Sequence, residues 1–205
     1  MPRPRVHAPE AVLDAAEALL VERGRASLTV RALAERAGVA NGSIYHAFGS
    51  LETVVGSAWQ RRGRQFLDLQ RAAIDKALAA SARQAVLAAA DAPARFADQH
   101  LQAAQLLVTL RRDDVLTDAV APAVADQLRA LDAALVDTLR LLARAVWHRG
   151  DGAAVDVITT CVVRLPGAML FPEIRTRPVR PHTRTLLAAA VGAVLDCGPP
   201  AAPRT

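Results

Sequence analysis

LTVRALAERAGVANGSIYHAFGSLE, residues 28–52, is the stretch on which the reading of this chain turns. Thr29 is a good N-cap, because its hydroxyl can accept from the free amides of the turn that follows. A helix from there to about Ala37 buries Val30, Leu33, Ala34 and Ala37 and leaves Arg31, Glu35 and Arg36 near the surface. Gly38 permits a sharp turn, Val39 plugs the corner, and a short helix through Asn41 to Ala47 points Ile44 and Phe48 inward. That second helix is too short to add much core. Its outer side carries Asn41, Gly42, Ser43, Tyr45 and His46, and Gly42 removes a side chain so that another backbone can come close. Two helices with a tight turn, the second offering small polar groups and a free N-terminus suited to an anion, make a helix-turn-helix.

Upstream, Val12, Ala16, Leu19, Leu20 and Arg23 recur at helical spacing with Glu10, Asp14, Glu17 and Glu22 outside and Gly24 beyond, which predicts a helix over about 9–23. The opening Pro-Arg-Pro-Arg cannot be a helix interior and reads as a mobile arm. Downstream, a fourth helix starting at Gly49 or Ser50 can pack Leu51, Val54, Val55, Ala58 and Trp59. Residues 64–80 and 81–91 hold few breakers, Pro93 suits the first turn of another helix, and Asp113-Asp114 can cap a short segment ending near Pro122.

Val124, Leu128, Leu131, Leu135, Leu139, Leu142 and Val146 then draw one apolar stripe on a helix ending at Gly150, with Asp137, Arg140 and Arg144 at charge-pairing spacing. Final helices are expected at about 153–165 and 182–197. The first carries Val155, Ile158, Val162 and Leu165 on one face, and the second a small-residue face of Leu187, Ala190, Val191 and Val194. Between them FPEIRTRPVRPHT is too rich in Pro and Arg for regular structure, its arginines reading as a solvated loop, and GPPAAPRT should fray.

Composition agrees with an all-helical chain. Hydrophobic residues make up 52% of 205 residues but aromatics only 3%, which suits close-packed helices better than sheets. No uninterrupted apolar run approaches a bilayer-spanning length and the start lacks a secretory apolar segment, so a cytoplasmic protein with no membrane partner is expected. Cys161 and Cys197 lack the partners of a zinc site or a disulfide framework and read as small buried apolar residues. The net charge of +5 is not concentrated in residues 1–51, so bulk charge says little about partners. No phosphate-binding glycine loop, metal cluster or local nucleophile-and-base signature stands out. Neither an enzyme nor a cofactor or metal is expected.

The run from Val12 to Val55, through LDAAEALLVERG, LTVRALAERAGV and GSIYHAFGSLE, resembles the N-terminal domain of the TetR family of bacterial transcriptional regulators, in register and without gaps. The resemblance covers roughly a fifth of the chain, and its weight comes from four helices, the turn glycine and the Tyr and Phe of the third helix all falling at the expected spacing. It implies an all-α homodimer with a helix-turn-helix DNA-binding domain at residues 1–51, a helical ligand-binding and dimerisation domain at 52–198, and a disordered tail at 199–205. Thr29, Arg31, Asn41, Gly42, Ser43, Tyr45 and His46 then occupy positions that face the major groove or the phosphates. The chain departs from the family's frequent Lys, His and Lys at Asn41, Ala47 and Leu51, which predicts modest non-specific affinity. Arg3 and Arg5 could compensate in part as an arm reaching a phosphate or the adjacent minor groove.

Some readings stay open. Residues 28–52 could be a surface hairpin with no DNA contact, and the Tyr45 ring can pack on the core while its hydroxyl reaches a phosphate. Trp59, Phe66, His100, Trp147, Met169 and Phe171 are candidates for a ligand pocket or simply core, and Arg164 could bind an acidic ligand or pair across a dimer. The expected function is a ligand-responsive repressor that binds a palindromic double-stranded DNA operator as a homodimer through the helices near 153–165 and 182–197, and is released by a small-molecule effector. The alternative is a helical small-molecule-binding dimer with weakened or lost DNA binding.

Overall fold

The computed structural model describes residues 8–201, and among these there are helices and no strand. The expected arm with Arg3 and Arg5, and residues 202–205 of the expected tail, lie outside the described residues. The chain divides into two compact units. One runs up to Arg64 and includes Gln105–Leu131; the other comprises Gln65–Ala104 and the residues from Asp132 onward.

In the first unit, α1 (Ala8–Arg23), α2 (Val30–Ala37), α3 (Asn41–Phe48) and the start of α4 (Leu51–Leu78) enclose Val12, Leu19, Leu20, Leu33, Ile44, Val54 and Ala58, none more than 2% exposed. Thr29 caps α2 as expected, its Oγ1 accepting from the Ala32 amide at 3.1 Å. The left-handed turn at Gly38, φ +67°, is one that an L side chain adopts only at a cost, which is why glycine stands there. Val39 and Phe48 pack against this core from its edge. Ser50 opens α4 by accepting from the Thr53 amide at 3.0 Å and donates to the Ala119 carbonyl at 3.0 Å. The later segment of this unit holds the end of α6 (Leu101–Thr109), α7 (Arg112–Val115) and the start of α8 (Pro122–Trp147), and Leu106, Leu110 and Val115 join the same core.

One α1 residue departs from the expected outer face. Glu17 is only 3% exposed, because two α4 arginines lie across α1: Arg62 Nε donates to Glu17 Oε2 at 2.6 Å and Arg61 Nη2 at 3.3 Å. Arg61 also donates to Glu10 and Asp14 at 2.6 Å each. A carboxylate can leave water only when charge-assisted donors replace it, and here both come from α4.

In the second unit, Ser81 caps α5 (Ala82–Gln99), and Pro93 sits inside that helix rather than in the first turn of a new one. A proline there has no N–H to give the carbonyl four residues earlier. The vacancy is filled from α4: Gln70, 2% exposed, donates Nε2 to the Ala89 carbonyl at 3.1 Å. With that bond replaced from outside, α5 runs on to Gln99.

The stripe on α8 is core in part, with Leu128, Leu139 and Leu142 buried and the rest partly so, and Arg140 pairs with Asp137 at 3.5 Å. The helix stops at Trp147 instead of near Gly150; His148 takes the left-handed turn at φ +55°. Asp151 then caps α9 (Gly152–Thr159), accepting from the amides of Ala153 and Ala154. A wide π turn, Thr160–Arg164, joins it to α10 (Leu165–Met169). Pro166 removes the donor that would have reached Val162, and the extra residue in the turn gives its ring room. The resulting stretch, Gly152–Met169, has a mean hydropathy of 1.3 and is 28% buried; by length and composition alone it is the single such stretch among the described residues that could cross a membrane.

The segment expected to be an irregular, solvated loop is organised. Phe171–Ile174 forms a short helix, α11, and α12 spans Pro181–Cys197. Glu173, 8% exposed, accepts from the Arg180 amide at 2.9 Å, from Arg180 Nε and Nη2 at 3.0 and 2.7 Å, and from Thr183 Oγ1 at 2.7 Å. Val179, in the same segment, is buried as well. Arg184 reaches Asp91 and Asp98 on α5, each at 2.8 Å. Of the two cysteines, Cys161 is buried as expected, its thiol pushed up to about 11 by desolvation, whereas Cys197 ends α12 in an exposed position.

Candidate nucleic-acid interface

The third helix is held by one side. Ile44 is its only buried residue, while Asn41, Gly42, Ser43, Tyr45, His46 and Ala47 are exposed, Tyr45 at 56% despite its ring. An aromatic of that size left in water on a rigid short helix is a side chain without an internal job. The N-cap, Ala40, supplies no side-chain acceptor, so among the described residues no side chain caps the amides of the first turn of α3. A Cβ added at Gly42 meets nothing within 4 Å, so this glycine answers no crowding inside the protein. The Thr29 oxygen is used as a cap, which leaves its hydroxyl hydrogen free to donate outward.

Charge around this face is mostly spoken for. Arg36 donates to Glu22 through two bonds at 2.9 and 2.6 Å, and that hydrogen-bonded guanidinium holds the Glu22 carboxyl below its usual range. Arg25 pairs with Glu52 at 3.1 Å. Arg31 is exposed and belongs to no ion pair among the described residues. It lines, with Ala34, Glu35, Gly38, Val39, Ala40 and Asn41, a concavity of about 530 Å³ between α2 and α3. Ala47 lies exposed without charge, and Leu51 packs against the core.

The candidate pocket residues fall in both units. Trp59 belongs to the first, packed on its core with the indole N–H buried and unpartnered. The other six belong to the second. Phe66 meets Phe96 edge-on at 5.7 Å, and Phe96 stacks at a tilt on His100 at 5.4 Å, where His100 ends α5 in an exposed position. Trp147 closes α8, and Met169 and Phe171 flank the buried Leu170. Arg164 is exposed and donates to Asp156 at 2.8 Å and to Thr160 at 3.0 Å. Sequence reasoning missed Gln70, whose Oε1 is buried with no partner among the described residues. Its signal was a carboxamide one helical turn from Phe66 and from Ile74, on a face otherwise apolar.

The family described as bacterial regulatory proteins, tetR family, matches residues 12–57. Comparison with curated protein sequences gives no match. Among solved structures, a TetR-like transcriptional regulator from Rhodococcus sp. RHA1 superposes with a TM-score of 0.70 at 18% identity, over 95% of this chain and 99% of its own. The TetR family regulator PfmR from Thermus thermophilus gives 0.60 at 22% identity, over 90% and 97%. FadR from Bacillus subtilis, solved in complex with stearoyl-CoA, gives 0.61 at 17% identity, over 91% and 95%. These likenesses concern the fold, and the matched segment is the one that builds the exposed third helix. Residues 12–57, which build the helix-turn-helix, match the family of bacterial regulatory proteins called tetR, and the rest of the chain shares the fold of the solved regulators.

Proposed function

We propose that this regulator is a repressor that binds a palindromic operator as a homodimer in the cytoplasm and is released by a small-molecule effector. The observation that carries the DNA-binding part is the third helix. Five of its residues, Asn41, Gly42, Ser43, Tyr45 and His46, are turned to solvent, and Ile44 anchors it from behind. Two-fold symmetry would present two such helices to successive major grooves about 34–36 Å apart. Dimerisation through the last helices is supported by their exposed apolar side chains, Val163 at 37% and Leu186 at 48%, and by the low burial of Gly152–Met169.

An effector in the second unit is supported by the unpartnered Gln70 Oε1 beside the Phe66–Phe96 pair on α4 and α5. A ligand that binds better to a conformation with another helix separation weakens DNA binding by reciprocity. A salt-dependent mobility-shift titration on DNA from the protein's own upstream region tests the reading: a dimer-sized shift that weakens with salt supports it. The uncharged Ala47 and the inward Leu51 favour a second reading, in which a helical small-molecule-binding dimer has lost DNA binding. Absence of any shift in dilute buffer would select that one.

A further inference from the structure

We propose that a concavity of the first unit, set between α1, α4 and the start of α8, is a binding site for a small hydroxylated acid, with Arg64 taking the oxyanion. It measures about 320 Å³, near the lower end of the range for small-molecule sites, about 300–1,000 Å³. Ser57, Gln60, Arg61 and Arg64 enter it from one face of α4, at the spacing that a helix stacks in line. Glu10 and Leu13 form the α1 wall, and Gln127 the α8 wall. Leu13 is the one apolar residue of the lining and is 7% exposed, so the surface on offer is polar. Both walls are fixed. Arg61 and Arg62 tie α1 to α4 through Glu10, Asp14 and Glu17. On the other side α8 lies so close that a Cβ at Gly56 would stand 3.3 Å from Val124, and one at Gly63 2.9 Å from Leu131.

The lining has donors and acceptors to spare. Ser57, Gln60, Arg64 and Gln127 make no side-chain hydrogen bond or ion pair among the described residues. Arg61 differs: Glu10, Asp14 and Glu17 take its terminal nitrogens and match its charge, while its Nε is buried with no acceptor among the described residues. Arg64 is thus the cation of the lining that no carboxylate has claimed, and its fork fits two oxygens of a carboxylate or a phosphate. The two carboxamides and the serine hydroxyl each donate and accept, so their natural matches are hydroxyls, which do both. An apolar ligand would strand these groups, and a cation would be repelled by Arg64. An oxyanion on a hydroxylated body satisfies them together and brings acceptors to the wall that holds the unpaired Arg61 Nε. The site is built entirely from the first unit, so it is distinct from the effector site proposed in the second. An occupant touching α1, α4 and α8 at once stabilises the unit that carries α3.

The test is calorimetric titration of the full-length protein, at one fixed salt concentration, with five probes: gluconate, glucose 6-phosphate, glucose, acetate and inorganic phosphate. The same titrations are run on Arg64→Ala, Gln60→Ala and Gln127→Ala, and circular dichroism melts without ligand check that each variant folds as the wild type does. The expected result is saturable binding of gluconate or glucose 6-phosphate, with a raised melting temperature, and binding at least about 10-fold weaker for glucose and for the bare oxyanions. Arg64→Ala should weaken the bound acid about 10- to 150-fold, and each glutamine variant about 2- to 10-fold, as expected for a charged and a neutral hydrogen bond. Tighter binding of gluconate marks the natural ligand as a carboxylate, and tighter binding of glucose 6-phosphate marks it as a phosphate; either supports the site. Acetate or inorganic phosphate binding as well as the hydroxylated acids would mean an adventitious ion only and overturn the proposal. Undiminished binding in Arg64→Ala and Gln127→Ala would place the acid elsewhere on the protein and overturn it too. So would a wild type that binds neither hydroxylated acid. None of these outcomes bears on DNA binding, which the mobility-shift titration decides.

Discussion

Two polar stretches of this chain look alike on paper and behave oppositely in space: Asn41–Phe48 and the segment from Phe171 to Arg184. Each is short, rich in hydrogen-bonding side chains and close to a turn. In the second, the polar groups are consumed by the protein, with Glu173 gathering Arg180 and Thr183 and Arg184 shared between Asp91 and Asp98. In the first, Ile44 is buried, Phe48 packs at the edge of the core, and the polar side chains have no partner among the described residues. What separates a recognition surface from a folded strap is therefore not composition but whether the groups already have partners.

Substitutions can sharpen or break that contrast. The largest effect is expected from Ile44→Ala, which removes the one fully buried side chain of α3 and should cost about 2–4 kcal/mol in chemical denaturation. Next is its neighbour: Tyr45→Ala should weaken operator binding about 10-fold or more and leave stability within about 0.5 kcal/mol, since a surface truncation has nothing to unpack. A matching fall in stability would assign the ring to the core and erase the contrast.

The strap should answer to acid. Arg180, through its guanidinium first and its amide second, with Thr183, holds the Glu173 carboxyl at about 2, below its ordinary 4.5. A carboxyl depressed in the folded state adds stability that is full above its unfolded value and lost as pH falls through the folded one, here between about 4.5 and 2. Melts across that window should decline less steeply for Glu173→Gln than for the wild type. The smallest effect is expected from Gly42→Ala, which should raise stability by about 0.5 kcal/mol in an open helical position yet weaken DNA binding a few-fold. If affinity instead stays unchanged, nothing approaches that backbone.

The helix-turn-helix was legible because its signals are local. Thr29 and its amide are three residues apart, Gly38 declares its own turn, and the inward pair Leu33 and Ile44 follow helical spacing with no help from elsewhere. The misreadings share the opposite property. Glu17 looked exposed because the arginines that bury it lie 44 and 45 positions along, and Pro93 looked like a helix start because its remedy comes from Gln70. Phe171–Ile174 looked irregular because it opens a segment rich in Pro and Arg, although Glu173 waits for donors at positions 180 and 183. Of the candidate interface, exposure at 29, 31, 41–43, 45 and 46 could be read from helical period. That Arg31 stays free while Arg36 and Arg25 are taken could not, because it depends on where Glu22 and Glu52 end up.

The patch between Gln70 and Ala89 imposes an order on change. A lineage that first swaps Pro93 for alanine regains the ordinary amide, after which position 70 is at liberty to become leucine. The reverse path strands a carbonyl in the dry interior at its first step. Making the two single variants and the pair should thus reveal strong epistasis, with the double replacement healthier than the Gln70→Leu chain alone.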